Sequence, residues 1–352
     1  MDTNPITATR QLGLAAAALL ALGLVAAAPA ANAADTPSAS VTNGTLTING
    51  TGGDDTVTLE LATDPTQLLV DFGNGAAAQR FDRGTFTNIS AFLGRGDDTF
   101  AVNGTNGAVT IPMTVDGGAG NDTITGGAAD DVLIGGRGDD LIFGGDGNDL
   151  IFGGRGNDTV DGQRGTDTEI LGAGNDVARW LPGEGNDNID GGTGNDTLVF
   201  DGAGANEKIA VTADGPHAIL TRDVASIRMD LNNVDALDLA TFGGTDTVTL
   251  GDLSGTDLDR AAIDLGAVRG GASDGVLDTV IVSGTDKADH VHVTADGSAV
   301  DVHGLHTGVQ VTGADTRDQL QLNTAAGNDK VSVSDAAQAL ITVGVDLGTD
   351  QR

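Results

Sequence analysis

The chain has 352 residues, with 17 Lys and Arg against 51 Asp and Glu, a formal net charge of -34, 55 glycines, 7 prolines and no cysteine. The acidic residues divide into 47 Asp and only 4 Glu (Glu60, Glu169, Glu184, Glu207); because Glu favours helices and Asp favours turns, the charge belongs to turns and argues against a helical bundle. A polyanion with three lysines (Lys208, Lys287, Lys330) is repelled by nucleic acid and anionic lipid, which leaves cations as natural partners, and the absence of Cys excludes a disulfide framework or a thiolate metal site.

The first segment reads as an export leader. Met1 to Arg10 is polar with one Arg, Leu12 to Ala28 is continuously apolar or small, and Ala31-Asn32-Ala33 offers a cleavage site before Ala34. Residues 1–33 are therefore expected to be a signal peptide and the mature protein to be secreted, without membrane insertion. An uncleaved anchor is the competing reading, but the apolar run is Ala-rich and short of a comfortable span.

Residues 34–116 are expected to form an N-terminal solenoid flank. They carry two turn-strand units, GGDDTVTL from Gly52 and GRGDDTFAV from Gly94. The same kind of unit returns after the centre as GGTDTVTL from Gly243 and AGNDKVSV from Ala326, and VTADG occurs twice, at 211–215 and 293–297. The spacing predicts three related units at about 40–105, 201–253 and 275–345. Apolar alternation as in Leu46-Thr47-Ile48, Val280-Ile281-Val282 and Leu320-Gln321-Leu322 predicts short strands, arranged as wider coils of a β-helix.

The centre, 117–199, is a ninefold repeat of the form GGxGxDxUx, with U apolar. Five gapless copies start at Gly117, Gly126, Gly135, Gly144 and Gly153; looser ones start at Gly162 and Leu171; after the extra Trp180-Leu181, two more start at Pro182 and Gly191. All nine keep the sixth-position acid: Asp122, Asp131, Asp140, Asp149, Asp158, Asp167, Asp176, Asp187 and Asp196. The glycines allow positive φ, so the first six residues are expected to make a turn and the last three a strand. The eighth residue would then face inward: Ile124, Leu133, Ile142, Ile151, Val160, Ala178, Ile189 and Leu198, with Glu169 as the exception.

This pattern resembles the hemolysin-type, or repeats-in-toxin, calcium-binding repeats. The resemblance implies an all-β, right-handed parallel β-roll or β-helix solenoid and brings no catalytic domain with it. Two nonapeptides complete one coil, so Asp carboxylates would stack about 4.8 Å apart and repel unless a cation lay between them. Hard oxygen donors of this kind suit Ca²⁺ better than Mg²⁺. The expected pairs are Asp122–Asp140, Asp140–Asp158, Asp158–Asp176, Asp131–Asp149 and Asp149–Asp167. Asp167–Asp187 and Asp176–Asp196 depend on the bulge, which makes about five to seven ions in all. Asp122, first in the array, would serve one site where Asp140 serves two. The fifth-position residues Asn121, Asp130, Asp139, Asn148, Asn157 and Asn175 are expected to support the turn.

Residues 200–274 and 275–352 are expected to be further solenoid units. His290, His292, His303 and His306 lie close in sequence and read as strand-surface histidines, with a transition-metal site as the alternative. Gly271-Ala272-Ser273-Asp274-Gly275 matches GxSxG but sits in a connector, not between a strand and a helix, and there is no HExxH. Trp180 is expected to wedge the bulge. The expected function is a non-enzymatic, secreted calcium-binding protein acting as a structural or adhesive component that meets an envelope or matrix polymer. The alternative is a polysaccharide lyase or epimerase on a β-helix, for which the lack of Tyr and the few Lys are unfavourable.

Overall fold

In the computed structural model, which describes residues 36–348, the alternating segments become short strands that pass from one sheet to the other at each turn. The expected leader, residues 1–33, with its cleavage site before Ala34, and residues 349–352 lie outside the described residues. Two sheets of fifteen strands each run the length of the described chain. Within the nonapeptide array all pairing is parallel, and each strand lies against its equivalent one coil later: Leu133 against Ile151, Ile142 against Val160.

The inward side chains are those the repeat predicts. Ile124, Leu133, Ile142, Ile151, Val160 and Leu198 are fully buried, with Ala178 and Ile189 nearly so, and they join a single apolar cluster from Leu46 to Ile341. The strands are longer than the pattern suggests. Leu141–Asp146 and Leu150–Arg155 run from position 7 through position 3 of the next copy, so only three residues remain for each turn. The two glycines belong to the strand because the coils approach too closely there for any side chain. At Gly138, in the fourth position, φ is +121° and a Cβ would overlap the carbonyl oxygen of Gly120 in the coil below.

The flanks depart from the expected widened coils. Each of the three units instead contributes a three-stranded antiparallel meander, the first at the end of its sheet and the other two within theirs: Thr56–Leu61, Gln67–Asp71 and Gln79–Asp82; Lys208–Asp214, His217–Arg222 and Ile227–Asn232; His290–Asp296, Ala299–His303 and Gly308–Thr312. The two VTADG segments end the first strand of the second and third meanders. Gly215 and Gly297 (φ +65° and +61°) open the two-residue hairpin loops. Strict alternation with one buried face supports antiparallel neighbours as readily as parallel ones, so the pattern alone did not distinguish them.

The ends are closed by local devices. A hairpin of Ser38–Thr42 and Thr45–Asn49 starts one sheet. Near the other end the short helix Asp335–Gln338, capped by the Ser334 side chain accepting the Ala337 N–H, buries Ala337. Among the described residues no helix is long and apolar enough to cross a membrane.

Candidate metal centre

Each nonapeptide turn delivers its aspartate to the edge of the roll with the carboxylate turned inward. All nine sixth-position aspartates are 0–3% exposed. Asp122, Asp140, Asp158, Asp176 and Asp196 precede strands of one sheet, and Asp131, Asp149, Asp167 and Asp187 precede strands of the other. Two ladders result, one on each edge.

The rungs are linked by one recurring hydrogen bond. The backbone N–H of Asp122 donates to Asp140 Oδ1 at 2.8 Å, that of Asp140 to Asp158 at 2.9 Å, that of Asp158 to Asp176 at 2.8 Å and that of Asp176 to Asp196 at 2.9 Å. On the other edge Asp131 donates to Asp149 at 2.9 Å, Asp149 to Asp167 at 2.8 Å and Asp167 to Asp187 at 2.8 Å. All seven expected pairs are therefore adjacent, including the two that span the bulge. There the extra residues loop out and the register resumes with a step of 20 residues in place of 18.

The second oxygen of most rungs is bare. Oδ2 of Asp122, Asp140, Asp149, Asp158, Asp167, Asp176 and Asp196 is buried without a hydrogen-bond partner, whereas Asp131 uses Oδ2 to accept the Gly127 N–H at 2.7 Å. A buried polar atom without a partner is costly, the more so when charged. Burial, aided by neighbouring carboxylates, pushes Asp149 up to about 8, Asp140 and Asp167 to about 7, and Asp122, Asp158 and Asp196 to about 6.

Backbone carbonyl oxygens lie near these bare oxygens at the first-position glycines. A Cβ placed on the first-position Gly135 would meet both Asp140 Oδ2 and the carbonyl oxygen of Gly153, so any residue larger than glycine would fill the space between them. No three His, Asp or Glu side chains gather at one point among the described residues. An ion at these turns would be held by paired carboxylates together with backbone carbonyls. An all-oxygen set with flexible geometry fits Ca²⁺.

The fifth-position residues form a second, exposed ladder running the opposite way. Asn121 Oδ1 accepts the Asp139 N–H at 2.8 Å, Asp139 Oδ1 the Asn157 N–H at 2.7 Å, and Asn157 Oδ1 the Asn175 N–H at 2.8 Å. Asn148 and Asp130 act alike on the other edge. They tie turn to turn, which is the supporting role expected of them.

Two features go beyond the regular repeat, the second of them already marked by the sequence as its one exception. The ladder does not begin at Asp122: the Asp55 N–H donates to Asp98 Oδ1 at 2.7 Å and the Asp98 N–H to Asp122 Oδ1 at 2.8 Å, with Asp98 Oδ2 also bare. Asp122 thus has a neighbour on each side, contrary to its expected place at the end of the array. The units from Gly52 and Gly94 carried the signal, an Asp directly before an alternating strand. Glu169 is the second feature. It sits in the apolar stack, 1% exposed with Oε2 unpartnered, and burial, then Asp187, Asp167 and Asp161, push it well above the ordinary carboxylate range.

The other sequence candidates take ordinary places. Trp180 is buried, stacks on Phe200 with ring centroids 4.3 Å apart, and donates Nε1–H to the Gly185 carbonyl at 2.9 Å, which pins the bulge. His292 and His303 face each other across antiparallel strands on the exposed surface, with His290 exposed beside them, while the His306 Nε2 lies 3.0 Å from the Thr256 carbonyl oxygen. Ser273 lies in the irregular segment before Thr279–Ser283 and donates to Asp315 Oδ2 at 2.9 Å, with no strand-to-helix turn around it.

The parallel two-sheet solenoid and its edge ladders define a calcium-binding β-roll protein. The comparisons agree in the centre of the chain: the family model of the RTX calcium-binding nonapeptide repeat matches four times, at residues 114–142, 134–169, 143–178 and 183–204. No curated protein matches. Among solved structures, the extracellular lipase LipA from Serratia marcescens is similar at 13% identity over 63% of this chain, with a TM-score of 0.15. The match spans 43% of that lipase, and a likeness this low carries no argument about this chain.

Proposed function

We propose that the protein is a secreted, non-enzymatic β-roll that folds on extracellular Ca²⁺ and serves as a structural or adhesive component of a cell surface or matrix. The observation that supports this most is the row of seven bare, buried Oδ2 atoms in two edge ladders. Such a row is unfavourable to fold around without cations and favourable with them. The nine sixth-position aspartates are the proposed ligands, and about five to seven ions are expected, with affinities near the ~10⁻⁴ to 10⁻³ M of extracellular modules. The export leader and the -34 charge are in keeping with a chain that stays extended at low calcium and folds outside the cell.

Elemental analysis of the chain from Ala34 onward, dialysed against millimolar calcium, tests the metal count, and one ion or none per chain would refute the reading. A polysaccharide array probed with the calcium-loaded protein tests the adhesive role. Release of unsaturated sugar products from any arrayed polymer would favour an enzyme instead.

A further inference from the structure

Beyond the nonapeptides the ladder resumes in turns that carry no ninefold repeat. Asp246, Asp278 and Asp318 each precede a strand of one sheet, Thr247–Leu250, Thr279–Ser283 and Gln319–Asn323, and these strands stack in parallel. The Glu207 N–H donates to Asp246 Oδ1 at 2.8 Å, the Asp246 N–H to Asp278 Oδ1 at 2.8 Å and the Asp278 N–H to Asp318 Oδ1 at 2.9 Å. This is the bond of the array, but its steps are 39, 32 and 40 residues, so no period in the sequence reveals it.

The second oxygens of these four rungs are treated differently. At one end Glu207 is held by Arg222, whose Nε donates to Oε1 at 2.8 Å and whose Nη2 reaches the same oxygen, with both side chains buried. At the other end Asp318 Oδ2 accepts the Asp315 N–H at 2.7 Å. The two rungs between them, Asp246 and Asp278, are each 1% exposed, and Oδ2 of each is buried with no partner. The protein thus neutralises the Glu207 rung with its own guanidinium, satisfies the Asp318 rung with its own backbone, and leaves the two inner rungs bare. Asp274 adds to the local charge, with its Oδ2 accepting the Gly244 N–H at 3.2 Å.

We propose that Asp246 and Asp278 together hold one hard divalent cation, of the calcium class, in a site outside the nonapeptide array. Two carboxylates on adjacent rungs, about one strand spacing (~4.8 Å) apart, match one dication in charge and in reach. Arg222 does at Glu207 what the ion does one rung further on. The proposal rests on the calcium-binding reading of the array for the identity of the ion, and its residues are separate from that array.

The test compares the full chain from Ala34 with two double variants, Asp246→Asn with Asp278→Asn, and Asp140→Asn with Asp158→Asn. Bound calcium is counted after dialysis against millimolar calcium. The first variant is expected to lose one ion and keep those of the array, and the second to lose array ions only. An unmodified protein without calcium would overturn the reading of the array and this site with it. Equal counts in the unmodified protein and the Asp246/Asp278 variant would overturn this site alone. Folding is checked by melting at several millimolar calcium concentrations: Asn keeps the Oδ1 acceptor and removes the proposed ligand charge, so the rise in Tm with calcium should be smaller in this variant than in the unmodified protein. An equal rise in Tm with calcium in the two proteins would overturn the proposal.

Discussion

Most sixth-position aspartates have two oxygens in different settings: Oδ1 accepts an N–H from the neighbouring coil, and Oδ2, bare in seven of the nine, is the proposed ligand of an ion. Replacing Asp by Asn preserves the Oδ1 acceptor and removes the proposed ligand. Because Asp98 extends the ladder below Asp122, Asp122→Asn and Asp140→Asn should lose similar amounts of calcium in titration. A clearly smaller loss in Asp122→Asn would mean that the Asp98 rung holds no ion. Glu169 has an oxygen, Oε2, without a hydrogen-bond partner in an apolar stack. Glu169→Leu should therefore stabilise the calcium-loaded protein by ~1–3 kcal/mol in denaturant titration at pH 8, the scale of an unpaired buried polar group. No gain would show that its carboxylate is compensated in a way the hydrogen bonds do not reveal.

At the scale of the element, the unit is a six-residue strand followed by a three-residue turn, and glycine is required where coils touch. The first and fourth positions fail differently when filled. Gly138→Ala would place a Cβ against the Gly120 carbonyl at a φ that L residues rarely adopt. It should destabilise the roll by more than ~1 kcal/mol even with calcium present. Gly135→Ala would put its Cβ between Asp140 Oδ2 and the Gly153 carbonyl, so its main effect should be loss of calcium at that rung. Calorimetric titration separates the two: a Gly135→Ala variant with an unchanged ion count would show that the ion lies elsewhere.

Across the whole molecule, the raised carboxylates set the pH response. Their folded pKa values, about 6 to 8, lie above the ordinary 3.8, so the calcium-free folded state binds more protons than the unfolded state between those limits. Their stabilising contribution is complete below about pH 4 and is lost as pH rises through 6 to 8. The Tm of the calcium-free protein should fall from pH 5 to pH 8, and millimolar calcium should flatten or reverse that trend, because protons and Ca²⁺ compete for the same oxygens. A calcium-free Tm that rises over this range would contradict the burial of charged Oδ2 atoms. Seven bound ions would also bring the charge from -34 to about -20, easing the self-repulsion that opposes folding.

The array was legible because a strict ninefold period fixes which residues share a face and an edge. Gly117 to Leu198, the inward aliphatics and the five aspartate pairs in unbroken frame follow from counting, since a parallel coil repeats its chemistry at constant steps; the two pairs across the bulge depended on how its extra residues loop out. The flanks were legible only as related strand units, because alternation specifies a buried face and not the direction of the neighbouring strand. Counting could not find the ladder of Glu207, Asp246, Asp278 and Asp318. Meanders and connectors of unequal length separate its members, and only the stacking of the sheets brings them into line. The ninefold sequence by itself determined where oxygen donors recur. Tertiary structure alone decided which of those oxygens stay bare, because that depends on what each turn meets across the sheet edge: a guanidinium at Glu207, a second backbone N–H at Asp318 and no hydrogen-bond partner for Oδ2 of Asp246 or Asp278.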